Sequence, residues 1–318
     1  GIVTLEATFN MAYTSVSTTS RSKYLANLPA YETLVARTRS SDTDFYRFEK
    51  SSRVTKNDGA LAGYPTASCF SSTANARIQD WYDRMGMSES KVFYCFDGQT
   101  PFTSALLNIR YLFSHSALED GTLYTLIDQE GDVYLYQNRY TLPFGFILED
   151  GQSLDSQKIA ESATTPFALQ NRLATTILPP SATNAQTGEP PKLFQPVSVA
   201  ENNGKATFIA NSAGHYYAYA RRSRVDEVKL ESPGLNKTFT KVKYDYIMDL
   251  GWQEAGNNVT LTNQDEGALE LAVCKLDTDT LSQVIAALGS QKMTVDAYDS
   301  TRLTGHITVQ RPGRLILS

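Results

Sequence analysis

The chain has 318 residues, of which 41% are hydrophobic and 20% charged, and this composition is typical of a packed globular protein rather than a disordered one. Because this length exceeds what one hydrophobic core usually serves, we expect two domains. The formal net charge of -5 argues against a polyanion as ligand, so we expect no nucleic-acid partner. No apolar stretch of the sequence is long enough to span a bilayer as a helix.

The residue types that usually bind metals are few and scattered. They are Cys69, Cys95, Cys274, His115, His215 and His306. The cysteines are odd in number and lack a C-x-x-C spacing, and no histidine has a second ligand at metal-binding spacing. We therefore expect no disulfide framework, no metal site and no cofactor.

The first half alternates helix and strand signals. Residues 75–86 give the clearest helix, with Asn75 as N-cap, Gly86 as C-terminal cap and an apolar face that includes Trp81 and Tyr82. Thr100 and Thr165 each precede a proline, the pattern of a helix start. The other predicted elements are a helix at 29–39, strands at 44–49, 91–96, 109–114 and 144–148, and a hairpin of strands 123–128 and 133–137. A long segment without periodicity, residues 51–72, interrupts them.

A proline-rich segment, residues 179–193, predicts a linker between a mixed α/β domain at 1–178 and a second domain at 194–318. Short alternating strands at regular spacing follow it, which predicts an antiparallel β-sandwich of the jelly-roll, carbohydrate-binding-like kind. A helix at 279–288 leads to the last strands. The fold class expected is therefore α+β. Since the chain opens on Gly1 without an initiator Met and stops within a strand-like run at 315–318, we expect an excised piece whose second domain is truncated at its C-terminal end.

Aromatic and polar residues around the long segment form the candidate ligand site. Aromatic faces beside amides and hydroxyls suit sugar rings, which have an apolar face and a polar rim. The candidate ligand-binding residues are Asn57, Asp58, Tyr64, Ser71, Ser72 and Trp81. Two structural alternatives stay open: Trp81 also fits the core face of its helix, and Asp58 also fits an Asx-turn.

No complete catalytic motif occurs. The sequence lacks G-x-S-x-G, Walker, G-x-G-x-x-G and H-E-x-x-H patterns. A glycosidase carboxylate pair cannot be identified from spacing alone, and for Glu49 an ion pair with Arg47 or Arg53 is favoured over a catalytic role. We therefore assign no catalytic residue, and whether the chain has enzymatic activity of its own stays open.

Several segments, in this order along the chain, resemble the YfhO-type bacterial multipass membrane proteins. The segments are DFYRFEK at 44–50, KNDGALAGY at 56–64, CFSST at 69–73, PFTSALLNIRYLF at 101–113, YLYQNRYTLPFGF at 134–146 and TPFALQN at 165–171. The resemblance is densest over residues 40–175 and looser beyond. Residues 303–307 and 313–318 resemble the strand pair of the same extracytoplasmic region.

The resemblance implies a C-type glycosyltransferase-like parent that uses a polyprenyl-phosphate sugar and modifies lipoteichoic acid or a related envelope polymer. It places the present residues on the extracytoplasmic face of the bacterial membrane. The catalytic acid is expected on a loop between transmembrane helices outside this chain, so none is carried over. The partners implied are a cell-envelope polymer or glycan, the parent's own transmembrane helices, and other glycosyltransferases of the pathway.

Two functions from different classes follow. The chain either positions the acceptor polymer as an accessory part of the enzyme, or it is a non-catalytic module that recruits cell-envelope partners. The acidic balance of the chain favours the second, because a negative surface repels a polyphosphate. A free-standing hydrolase is a third, weaker alternative.

Overall fold

The computed structural model describes residues 20–118, 121–160, 163–179, 182, 189–220, 225–265, 267–299 and 301–318. Its α-helices are α1 Arg21–Leu25, α2 Leu28–Ser41, α3 Asp58–Leu61, α4 Ala76–Met85, α5 Pro101–Leu106, α6 Ser156–Ala160, α7 Pro166–Ile177 and α8 Thr278–Leu288. Most of its strands pair in antiparallel sheets, so the predicted mixed α+β class is confirmed.

The capping signals of the sequence place three helices correctly. Asn75 accepts a hydrogen bond from the backbone of α4, and Gly86 ends that helix with φ of +76°, the left-handed conformation that glycine adopts without strain. Thr100 forms a capping box at the start of α5, and Thr165 caps α7. These predicted helices are confirmed because their start and stop signals are local.

The first half is built around a four-stranded sheet in the order β1-β5-β7-β6. The strands up to residue 149 are β1 Arg47–Lys50, β2 Cys69–Phe70, β3 Glu89–Ser90, β4 Phe93–Tyr94, β5 Ile109–Ser114, β6 Tyr124–Glu130, β7 Val133–Asn138 and β8 Gly145–Glu149. Strand β1 runs parallel to β5, and β2, β4 and β3 form a small separate sheet. Helix α2 packs on the larger sheet through Tyr31, Leu34 and Val35, in one core with Phe48 and Phe113. The carboxyl end of β1 therefore lies next to helix α2.

The second half contains a β-sandwich. Its strands are β9 Phe194–Val197, β10 Ala200–Asn202, β11 Lys205–Ile209, β12 Gly214–Ala220, β13 Glu227–Ser232, β14 Leu235–Thr240, β15 Met248–Gln253, β16 Asn258–Asn263 and β17 Leu271–Leu276. They form two antiparallel sheets, β10-β11-β16-β13-β14 and β15-β12-β17-β9. Phe208 and Leu261 of the first sheet share one buried core with Tyr216, Leu250 and Val273 of the second. The two sheets therefore face each other.

Residues after Leu276 return to the first half, although the sequence pattern predicts one sandwich domain over residues 194–318. Helix α8 packs on α5, α7 and β8. The last strands are β18 Thr294–Tyr298, β19 Leu303–His306 and β20 Gly313–Leu317. Strand β20 pairs with β8, so the strand-like run at the end of the chain has its neighbour more than 160 positions earlier in the sequence.

The two halves share a continuous core. Phe102 and Phe167 of the first half lie in the same buried cluster as Phe194, Tyr217 and Leu281. The predicted linker, 179–193, lies mostly outside the described residues, and its last residue is fully buried in this cluster.

The helices of the described ranges are each too short or too polar to cross a bilayer.

Candidate functional site

A pocket of about 130 Å³ opens between helices α1 and α2, the end of strand β1 and the segment that follows it. Tyr24 and Tyr31 supply aromatic walls, Lys50 and Asp58 supply charge, and His115 closes one side. Strand β1 delivers Lys50 to this place because the parallel pairing of β1 with β5 brings its carboxyl end beside the end of β5, next to His115. Residues 51–72 then fold back over the strand end.

A buried ion pair lies at the centre of the pocket wall. The Lys50 ammonium is 3.1 Å from Oδ2 of Asp58, and less than a tenth of either side chain is exposed. Asp58 also accepts hydrogen bonds from the backbone N–H groups of Val54 and Thr55, at 3.0 and 2.8 Å, and from the Thr55 hydroxyl at 2.7 Å. Burial acts to raise the pKa of Asp58, but these hydrogen bonds and the Lys50 charge outweigh it, so the pKa lies below its usual value. The Asp58 carboxylate is therefore ionised, and its two oxygens accept four hydrogen bonds.

Four donors on one carboxylate leave Asp58 no role as a general base, because its lone pairs are already occupied. Its place in the pocket is structural: it holds the turn at 54–58 and neutralises Lys50.

The Lys50 ammonium retains donor capacity toward the pocket. It lies 3.7 Å from the centroid of the Tyr31 ring, a cation–π contact, and donates one hydrogen bond to Asp58. An ammonium has three N–H donors, and no further acceptor within the described ranges lies at hydrogen-bonding distance from it. Burial lowers the pKa of Lys50, against the opposing effect of Asp58. An oxygen acceptor entering the pocket would satisfy a remaining donor.

A polar chain continues from the Tyr31 ring to the surface. The Tyr31 hydroxyl lies 2.8 Å from Nε2 of His115, whose Nδ1 is 3.5 Å from the carboxylate of Asp132. Burial, with smaller contributions from Asp58 and Asp132, raises the pKa of Tyr31 to about 12, so the phenol is neutral at physiological pH. Tyr31 is thus fixed at both its ring and its hydroxyl, and the pocket wall is preformed.

A second buried charge, that of Arg53, lies beside the pocket. Arg53 pairs with Asp97, lies 3.8 Å from Oε2 of Glu49, and donates to the backbone carbonyl of Lys50 at 3.2 Å. Glu49 is almost completely buried and accepts hydrogen bonds from the backbone of Ala67 and from Ser68, both at 2.9 Å. Burial raises the pKa of Glu49. These contacts tie residues 51–72 to β1, so the segment is held by buried polar contacts despite its lack of periodicity.

Of the six predicted ligand-binding residues, Asp58 lines the pocket. The side-chain amide of Asn57 exchanges two hydrogen bonds with the backbone of Phe70, at 2.8 and 3.1 Å, and so joins two parts of the segment. Tyr64 is buried against Phe48, and burial raises the pKa of its hydroxyl.

The remaining three predicted residues lie elsewhere. Ser71 and Ser72 lie on a surface turn, where the Ser71 hydroxyl contacts Thr73 at 3.1 Å. Trp81 is half-buried in helix α4 and packs edge-to-face on Tyr82, as the core alternative expected. The structure therefore does not bring the six residues into one cluster.

Tyr31, Lys50 and His115 are site residues that the sequence pattern does not reveal. Tyr31 contacts both of the others, His115 by a hydrogen bond and Lys50 through its ring, although 84 positions separate Tyr31 from His115 in the sequence. One signal was available: Lys50 directly follows the strand predicted at 44–49, and a lysine that becomes buried at a strand end needs a partner. The structure also places no group of three or more His, Cys, Asp or Glu side chains, within the ranges it describes, where they could hold a metal ion. Cys69, Cys95 and Cys274 form no disulfide within the ranges that the structure describes.

Comparison with known proteins gives one match over the whole chain. The family model described as "Bacterial membrane protein YfhO" matches residues 1–318. No curated protein matches the chain. A solved structure described as "The complexity of the Ruminococcus flavefaciens cellulosome reflects an expansion in glycan recognition" is 16% identical, over 26% of this chain and 71% of its own, with a TM-score of 0.16. A TM-score this low carries no argument about fold or function.

Proposed function

The chain belongs to the YfhO family of bacterial membrane proteins, and we propose that it forms the extracytoplasmic region of a glycosyltransferase-like member and positions the acceptor polymer there. The acceptor in this proposal is lipoteichoic acid or a related cell-envelope polymer. The reaction itself belongs to membrane helices of the parent protein, and we assign no residue of the described ranges a catalytic role. The β-sandwich, proposed to be of the jelly-roll type, completes this region.

The preformed pocket beside Lys50 is the observation that supports the proposal. Its aromatic walls match the apolar face of a sugar or polyol unit, and the unfilled donor capacity of Lys50 matches a hydroxyl or phosphate oxygen. A cavity volume of about 130 Å³ is small beside the roughly 300–1,000 Å³ of ordinary ligand pockets, so it fits one small unit of a polymer rather than a long segment. A site of this size binds weakly, with a dissociation constant of about a millimolar.

Amide NMR shifts during titration with glycerol-phosphate oligomers and with short glycans test the proposal. We expect shifts concentrated at Lys50, Asp58 and His115. Tyr24→Phe removes a hydroxyl from the pocket wall and should weaken binding roughly two- to tenfold, the effect of one hydrogen bond. Tyr298→Phe, at an exposed tyrosine that is not part of the pocket wall, is the matched control. Absence of shifts around the pocket at millimolar ligand would refute acceptor binding.

A second function is recruitment of partner enzymes by the sandwich, and the net charge of -5 favours it because a negative surface repels a polyphosphate acceptor. Ile209 is the most exposed large apolar side chain of the described residues, at 66%, and offers a position for a test. Under this alternative, a second glycosyltransferase co-purifies with the full-length protein, and Ile209→Asp abolishes the association while Tyr24→Phe does not. Retention of the partner by the Ile209→Asp protein would contradict it.

A further inference from the structure

Three apolar side chains of the segment 51–72 point to solvent. Val54 and Phe70 are each 55% exposed and Leu61 is 40% exposed, although the same segment buries Tyr64 and Ala67. Exposed apolar residues scattered singly need no explanation, so what matters is whether these three share one surface.

Specific contacts bring them together. Val54 and Leu61 both line the mouth of the pocket. Asn57, which lies between them in the sequence, holds the backbone of Phe70 through both hydrogen bonds of its side-chain amide. Strand β2 then places Phe70 opposite Phe93 of β4. Val54 and Leu61 therefore lie beside the pocket, and the hydrogen bonds of Asn57 hold Phe70 on the adjoining part of the exposed face of the segment.

Two cations border this face. The Lys56 ammonium lies 4.1 Å from the centroid of the Phe93 ring. Lys91 is exposed in the turn that leads into β4. In that turn the carbonyl of Val92 accepts a hydrogen bond from the backbone N–H of Ser71, the residue after Phe70. Neither lysine forms an ion pair within the ranges that the structure describes. We refer to Val54, Leu61, Phe70, Lys56 and Lys91 together as the loop face.

The nearby carboxylates have closer partners. Asp58 is paired with Lys50, and Asp97 is paired with Arg53 and interacts more weakly with Lys56. The five residues of the loop face carry two positive charges and no negative one, in a chain whose net charge is -5.

We propose that the loop face rests on the surface of an anionic lipid bilayer, with its apolar side chains at the boundary between headgroups and acyl chains and its lysines among the headgroups. Apolar residues flanked by lysine are the pattern of a peripheral membrane contact. Protein interfaces, in contrast, are depleted in lysine. The inference goes beyond the proposed function and does not depend on acceptor binding. It places the mouth of the pocket, which Val54 and Leu61 also line, next to the membrane surface.

Vesicle flotation of the 318-residue chain tests the inference. The two lipid preparations are phosphatidylcholine alone and phosphatidylcholine with about one third phosphatidylglycerol, and binding should occur on the anionic vesicles. Lys56→Glu should weaken partition at least about fivefold, since removing one cation near such a surface already costs about a fivefold change and the new carboxylate adds repulsion. Phe70→Ser should weaken it several-fold. The matched control is Ile209→Ser, a comparably exposed apolar residue of the sandwich, which should change nothing.

An optical readout keeps the test independent of small affinity changes. In Phe70→Trp the new indole should shift its emission to the blue on anionic vesicles and be quenched by lipids brominated near the headgroup. In Ile209→Trp neither should occur. Equal responses from the two positions, or absence of binding at millimolar anionic lipid, would overturn the inference. So would loop-face variants that keep vesicle binding but lose a protein crosslink in cells, because the occupant would then be a protein.

Discussion

Lys50→Met removes the charge that neutralises a buried carboxylate while retaining most of the side-chain volume. In the folded protein Asp58 would keep its three hydrogen bonds from Val54 and Thr55 but lose its counter-ion. Removing one partner of a buried pair typically costs about 3–5 kcal/mol. The remaining hydrogen bonds favour the lower end, and loss of the cation–π contact with Tyr31 adds about 1 kcal/mol. We expect the free energy of unfolding to fall by about 3–4 kcal/mol.

Urea unfolding followed by circular dichroism measures this change, and Lys229→Met provides the matched control. The Lys229 ammonium lies 2.8 Å from Glu231, a shorter distance than in the buried pair, but nearly half of each side chain is exposed. Water screens an exposed pair of this kind, so it contributes little to stability and the control should hardly shift the midpoint. The difference between the two variants therefore reports burial rather than distance.

The double variant Lys50→Met/Asp58→Asn separates charge from shape. With both charges removed, no ion is left buried without a partner, so the double variant should be more stable than the sum of the two single changes predicts, by about 1–3 kcal/mol. Additive costs would refute the coupling. Equal midpoint shifts for Lys50→Met and Lys229→Met would show that water screens the buried pair, and the account of a preformed pocket wall would then fail.

Two further predictions concern titration and thiol chemistry. Burial acts to raise the pKa of Asp97, but the charge of Arg53 outweighs burial, and the pKa lies below its usual value. The stability that this carboxylate contributes is therefore present above its ordinary pKa near 4 and is lost as the pH falls further. Urea midpoints measured against pH should decline below about pH 4, and Asp97→Asn should flatten that decline. Burial, and next the charge of Asp97, raises the pKa of the Cys95 thiol to about 11, whereas Cys69 is partly exposed. Iodoacetamide should therefore modify Cys69 first in the folded protein, and peptide mass spectrometry measures the order of modification.

Each of these has a result that would contradict it. If the Asp97→Asn protein loses stability in acid as steeply as the wild type, the ion pair with Arg53 does not cause the decline. Labelling of Cys95 at the rate of Cys69 in the native protein would show that the segment over β1 opens readily. Both thiols should react alike in denaturant, which is the control for intrinsic reactivity.

The predictable parts of the fold are those whose signals are local. Helix α4 follows from Asn75, its apolar face and Gly86, because a cap and its helix lie within a few residues of each other. Helix α3 has only four residues, too few to show a period, and it is held by the contact of Asp58 with Lys50. The sequence therefore predicts only an irregular segment at that place.

The candidate site was less predictable because its contacts are long-range. The residues selected from the sequence, such as Asn57 and Ser71, lie close together in the chain, but adjacency in a loop does not determine which side chains face the same way. The pocket instead joins Tyr31, Lys50 and His115 through the parallel pairing of β1 with β5, and no local pattern announces that pairing. The end of the sandwich is hard to predict for the same reason, because residues 313–317 pair with β8, a strand far back in the sequence.

One segment carries both proposed contacts. Glu49, Arg53 and Asp58 form an inner network of buried charges and hydrogen bonds that holds the pocket wall. The exposed side chains of the segment form the loop face, and two of them, Val54 and Leu61, also line the pocket. Because the inner network fixes the backbone without help from Phe70 or Lys56, loss of membrane contact should leave glycan shifts at Lys50 intact. Loss of the Tyr24 hydroxyl should, for the same reason, leave vesicle binding unchanged. The two proposals can thus fail separately, and if both hold, the segment presents the acceptor pocket at the height of the lipid headgroups.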